Sequence, residues 1–126
     1  MTLKGKPTRV IITGAARKEL DGLNNAVDDE RRRGITKSDR QTLLRSIEQK
    51  VALLKDNPEY GTHIPKDRIP KEYVKAYEVS NLWKVNLSGA WRMLYTVRGS
   101  DVEIIALILD IVDHGAYDKK FGYRRK

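Results

Sequence analysis

The sequence predicts an α+β domain, with two helices packed on one face of a β-sheet. Three observations carry this reading. Apolar residues recur at helical spacing in the first half of the chain, as Ala16, Leu20, Leu23 and Val27 and again as Leu44, Ile47, Val51 and Leu54. Residues 82–97 alternate strictly, with Trp83, Val85 and Leu87, then Trp91, Met93, Tyr95 and Val97, claiming one face. Residues 102–112, VEIIALILDIV, are apolar on both faces, as expected of a central strand covered on both sides. A chain of 126 residues suits one domain, 1–126, with a single modest core.

Taken in order, TRVIIT (residues 8–13) reads as a first strand closed by Gly14, and a helix follows over 15–33. The pairs Asp28–Arg32 and Asp29–Arg33 support its last turn. Arg31, Arg32 and Arg33 meet the negative end of the helix dipole, and Gly34 supplies the cap. Ser38 and Gln41 have capping-box spacing for a second helix over 38–56, which DNPEYG ends. Two helices of similar length joined by a short loop form a hairpin that can lie on a sheet. Residues 61–81 form an ordered basic arm with two prolines in IPKDRIP, and Pro70 opens a short helix KEYVKAY. Three strands follow in LWKVNL, WRMLYTV and VEIIALILDIV, and YDKKFGYRRK is a basic tail.

Hairpin register follows from packing. Cross-strand partners share a face, so Leu87 should oppose Trp91 across a three-residue Ser88-Gly89-Ala90 loop. Lys84, Asn86, Arg92, Leu94 and Thr96 then share the opposite face. On the last strand Asp110, Val112 and His114 alternate onto that face, while Ile105, Leu107, Leu109 and Ile111 take the helix-covered one. With His114 near Arg92, one end of the sheet holds lysine, arginine and histidine, and Tyr117 follows by three. Such a set suits a phosphodiester: cations for the phosphate, a group titrating near neutrality, and a phenol.

Composition narrows the partners. Hydrophobic residues at 40% with 33% charged exclude a disordered chain, and the net charge of +8 favours polyanions, nucleic acid or ribosome before an anionic membrane. With no cysteine there is neither a disulfide framework nor thiolate chemistry, and two histidines show no metal-ligand spacing. The three-residue apolar run near the N-terminus is too short for a signal peptide, and the stretch over 102–112 falls short of the roughly twenty apolar residues a bilayer needs. A soluble cytoplasmic protein is expected. Lys66, Arg68, Lys71, Lys119, Lys120, Arg124 and Arg125 are the expected RNA-binding cations.

The pattern LWKVNLSGAWRMLYTV, followed by VEIIALILDIVDHGAYDKKFGYR and preceded by a strand and a helical hairpin, resembles the RelE/ParE superfamily of type II toxins, and most of all its archaeal RelE-type members. The likeness spans nearly the whole chain. It implies a curved, mostly antiparallel sheet whose open concave face, opposite the helices, is the working surface. It also implies ribosome-dependent, metal-free and cofactor-free mRNA cleavage by attack of a ribose 2′-hydroxyl on the adjacent phosphate, under control of a cognate antitoxin protein. By position, Arg92 matches the family's phosphate-binding arginine and Lys84 a basic residue of the preceding strand; His114 and Tyr117 fall where relatives place acid/base and stacking residues. Asn86 stands where some members carry a second catalytic lysine, and the His-to-Tyr spacing is shorter than the common bacterial pattern. Two other readings stand beside it: a ParE-type poison that inhibits DNA gyrase, and a catalytically silent basic module binding nucleic acid.

Overall fold

The computed structural model describes residues 5–122, so Arg124 and Arg125 lie outside the described residues. Strand β1 (Thr8–Ile12) leads into α1 (Gly14–Arg32) and α2 (Asp39–Asp56), close to the expected bounds. Gly34, at φ +79, closes α1 in the left-handed region that suits glycine, its N–H reaching the Arg31 carbonyl at 3.0 Å. Asp29 holds Arg33 at 3.1 Å as expected, and it also takes Arg32 at 3.5 Å, since positions three and four apart are both helix neighbours.

Ser38 caps α2 by accepting the Gln41 N–H at 3.1 Å. The Gln41 side chain does not complete the capping box. It donates instead to Glu30 at 3.1 Å and to the Ile35 carbonyl at 2.9 Å. Buried Glu30 also accepts from the Ser38 hydroxyl and from Arg40, so one carboxylate ties both helices and their loop together. The Ser38 hydroxyl, with Gln41 and Arg40, holds that carboxyl below the usual carboxylate range although burial pushes the other way.

The remaining elements are β2 (Thr62–His63), a 3₁₀ turn (Lys66–Arg68), α3 (Lys71–Tyr77), β3 (Trp83–Asn86), a 3₁₀ turn (Ser88–Ala90), β4 (Arg92–Gly99), β5 (Ile104–Val112) and α4 (His114–Phe121). The sheet runs β1-β5-β4-β3-β2, with β1 parallel to β5 and the other pairs antiparallel. The β3–β4 register is the one packing demands: Val85 faces Met93, Asn86 faces Arg92, and the Leu87 N–H meets the Trp91 carbonyl at 2.8 Å. Under α1 and α2 lie Ala16, Leu20, Val27, Leu44, Ile47 and Leu54 against Val85, Met93 and Tyr95, with Trp83 and Trp91 at the margin.

Strand β5 departs from simple alternation. Leu94 pairs with Asp110 but its neighbour Tyr95 pairs with Ile108, so Leu109 is an extra residue and shifts the phase. The expected helix-side set of Ile105, Leu107, Leu109 and Ile111 is therefore corrected. Ala106, Ile108 and Ile111 take that side, Leu107 and Leu109 pack on the other, and Ile105 pairs with Arg98 in phase with Leu107.

The face opposite the helices is also not open. Ile64, Tyr73, Val79 and Leu82 from the arm, with Tyr117 from α4, cover Leu94, Leu109 and Val112. Leu94 and Leu109 are 0% and 1% exposed. The cause is the second apolar face of β5, which has to be buried whatever lies beyond it. Residues 117–121 of the expected tail belong to α4, which Asp113 starts, its side chain accepting the Ala116 N–H at 2.8 Å.

Candidate phosphate-binding site

Arg92 begins β4 opposite Asn86 on one side and Val112 on the other, so it projects from the sheet face that carries Leu94 and Asp110. Its guanidinium carbon lies 4.6 Å from the centroid of the Tyr117 ring, and Lys84 Nζ lies 5.4 Å from the same centroid. Tyr117 is 4% exposed and stacks on Phe121, ring centroids 4.4 Å apart. Three of the four predicted catalytic residues thus meet on one aromatic ring, two of them as cation–π partners. Arg92 Nη1 donates to the Ala90 carbonyl at 3.0 Å, while its Nε is buried with no hydrogen-bond partner.

His114 takes a different partner. Its Nε2 lies 3.1 Å from Asp118 Oδ2, one turn along α4, and its side chain is half exposed. The carboxylate on Nε2 leaves Nδ1 as the nitrogen facing away from Asp118. Asp118 escapes sequence reading because only a helix brings a residue four positions away onto the same side, whereas the pattern puts His114 on the last strand and Asp118 in the tail over 117–126.

The predicted RNA-binding cations divide. Lys66, Arg68, Lys71 and Lys119 are exposed, the first three along the arm. Lys120 is engaged within the fold: its Nζ pairs with Glu72 at 2.8 Å and Asp110 at 3.7 Å and sits 5.7 Å from the Tyr73 ring centroid. Burial lowers the Lys120 pKa, but Glu72 and Asp110 outweigh it and hold the group above its ordinary value. Tyr73, 2% exposed, donates its hydroxyl to Asp110 at 2.7 Å; burial and that carboxylate push its phenol far above the ordinary range. Two clefts of about 520 and 440 Å³ open around Trp91 beside α1, and neither is lined by Arg92, Lys84 or Tyr117. Among the described residues no group of three or more His, Cys, Asp or Glu side chains could hold a metal ion, and no helix is long and apolar enough to cross a membrane.

No family model, curated protein or solved structure matches the chain. The site is therefore defined by its own chemistry. It pairs a guanidinium and an ammonium on one ring, and a histidine–aspartate pair opens the same helix.

Proposed function

We propose that this protein is a RelE-type toxin, a ribosome-dependent mRNA endonuclease that acts in the cytoplasm and is restrained by a cognate antitoxin protein. The observation that carries the reading is the convergence of Arg92 and Lys84 on Tyr117, with His114 three residues before Tyr117 on the same helix. In the proposed reaction the ribose 2′-oxygen forms a bond to phosphorus, the bond from phosphorus to the 5′-oxygen breaks, and a 2′,3′-cyclic phosphate and a 5′-hydroxyl result. The proton leaves the attacking oxygen and one is delivered to the departing oxygen, with His114 serving one of these transfers and Asp118 orienting its ring. Arg92 offsets charge building on the non-bridging oxygens, an effect worth roughly 3–4 kcal/mol per donor in comparable oxyanion sites. Exposed Lys66, Arg68, Lys71 and Lys119 supply the diffuse attraction to ribosomal RNA, with Arg124 and Arg125 adding charge.

The test is mRNA cleavage in the A site of translating ribosomes, mapped by primer extension. Arg92→Ala lowers cleavage about 10²–10³-fold, and Arg92→Lys is impaired as well because an ammonium cannot reproduce a bidentate contact. His114→Ala slows cleavage without loss of ribosome binding, and Tyr117→Phe separates the hydroxyl from the ring. Full cleavage by both Arg92→Ala and His114→Ala overturns the roles given to these residues, and no cleavage by the native protein overturns the ribonuclease reading. A silent nucleic-acid-binding module then stands in its place, favoured by the arm cations, which need no site; a gyrase-directed poison shows itself by inhibited supercoiling instead.

A further inference from the structure

Among the described residues two that are not glycine hold a positive φ, Glu78 at +53° and Ala90 at +63°. Glu78 ends α3, where a left-handed residue is an ordinary way to close a helix. Ala90 has no such reason. It follows Gly89, also at φ +63°, in the loop between β3 and β4, and the Trp91 N–H closes that loop on the Ser88 carbonyl at 3.3 Å. Two positive φ values in succession are the pattern of the tight hairpin turns whose twist matches that of the strands they join. Such turns favour glycine or asparagine, because in the left-handed region a Cβ crowds the following carbonyl oxygen. Ala90 is exposed, so its methyl buries nothing that would offset this strain.

What Ala90 supplies is an acceptor. Its carbonyl takes Arg92 Nη1 at 3.0 Å, the Tyr117 ring lies against the guanidinium at 4.6 Å, and Nε is buried without a partner. The end of the fork, Nη1 with Nη2, is therefore the edge left for two parallel contacts to a phosphate. One hydrogen of Nη1 is committed to the carbonyl, which fixes the plane of the fork and the direction of the other hydrogen. The carbonyl keeps its aim only while Ala90 stays left-handed, since a return to the ordinary φ range swings the peptide plane between Ala90 and Trp91. A glycine would hold the turn with less strain, but it would also admit mirror-image extended conformations that a Cβ excludes.

We propose that Ala90 is a positioning residue for Arg92: its strained turn aims the Ala90 carbonyl at Nη1 and sets the guanidinium for phosphate before RNA arrives. This rests on the phosphate role proposed for Arg92, though not on catalysis. Strain held beside a binding group lowers stability and raises affinity, because the ordering has been done in advance.

Stability and affinity therefore move in opposite directions, which a plain folding role does not produce. Urea unfolding and the anisotropy of a fluorescein-labelled single-stranded RNA are measured for the native chain, Ala90→Gly, Ala90→Asn, Arg92→Ala and the Ala90→Gly/Arg92→Ala double variant. Ala90→Gly raises the urea midpoint and weakens RNA binding roughly two- to tenfold, the effect of leaving one long side chain to be ordered on binding. Ala90→Asn, which tolerates the left-handed region and keeps a Cβ, raises the midpoint and retains native affinity. In the Arg92→Ala background the glycine has no further effect on binding. Native affinity in Ala90→Gly while Arg92→Ala is weakened overturns the positioning role alone, as does an equal loss from the glycine in both backgrounds. A lowered midpoint in Ala90→Gly overturns the strain. Native affinity in Arg92→Ala overturns the phosphate role of Arg92, and the positioning with it.

Discussion

Removing one oxygen atom should weaken the whole second layer. In Tyr73→Phe the ring stays in its pocket, but the buried Asp110 carboxylate loses the donor that lies 2.7 Å from Oδ2. Its other oxygen keeps the Ile111 N–H at 3.1 Å, and Lys120 at 3.7 Å is too far to replace a hydrogen bond. A hydrogen bond to a charged acceptor is worth about 1.5–3 kcal/mol, which places the expected loss near 2 kcal/mol. For a domain of this length that lowers Tm by roughly 6–10 °C. Urea unfolding of Tyr73→Phe, Asp110→Ala and the double variant measures the pair directly, and the coupling should exceed about 1 kcal/mol. A single-variant loss below about 0.5 kcal/mol, or a coupling near zero, would refute the argument that this bond joins the arm to the sheet.

Gly61→Ala should destabilise by about 1–3 kcal/mol, because a Cβ there would stand 2.6 Å from the Lys84 carbonyl and 2.8 Å from the Tyr95 hydroxyl, which accepts the Gly61 N–H; an unchanged urea midpoint counts against it. Glu30 has a folded pKa below its unfolded one, so its contribution is present above the ordinary carboxylate range and is lost as pH falls through the lowered value. The gap in unfolding midpoint between the native chain and Glu30→Gln should accordingly be open at neutral pH and close on acidification through the lowered value; a gap that widens on acidification contradicts the sign.

The candidate site was partly legible in the sequence. Arg92 and Lys84 were placed on one face because their own strands alternate cleanly and the β3–β4 loop allows one register. Tyr117 was named as their companion, and it is, but as a buried ring rather than an open stacking surface. His114 was expected to continue the alternation of the last strand, but β5 ends at Val112 and His114 opens α4, with Asp118 beside it one turn on. Lys120 was legible as a charge and not as a partner of Asp110, since the two meet only when α4 folds back over the sheet.

Local patterning alone determined the two long helices, their caps, the short helix after Pro70 and the β3–β4 register. Each depends on residues a few positions apart, where periodicity and turn chemistry act directly. Tertiary structure decided the rest. A strand apolar on both sides carries no period to reveal its phase, so the extra residue at Leu109 emerges only when β5 is matched against β4. The same strand has two faces to bury: α1 and α2 cover one, and the arm and α4 are drawn over the other. That second burial turned an expected open surface into a closed layer, because apolar area left in water costs more than ordering the segments that cover it.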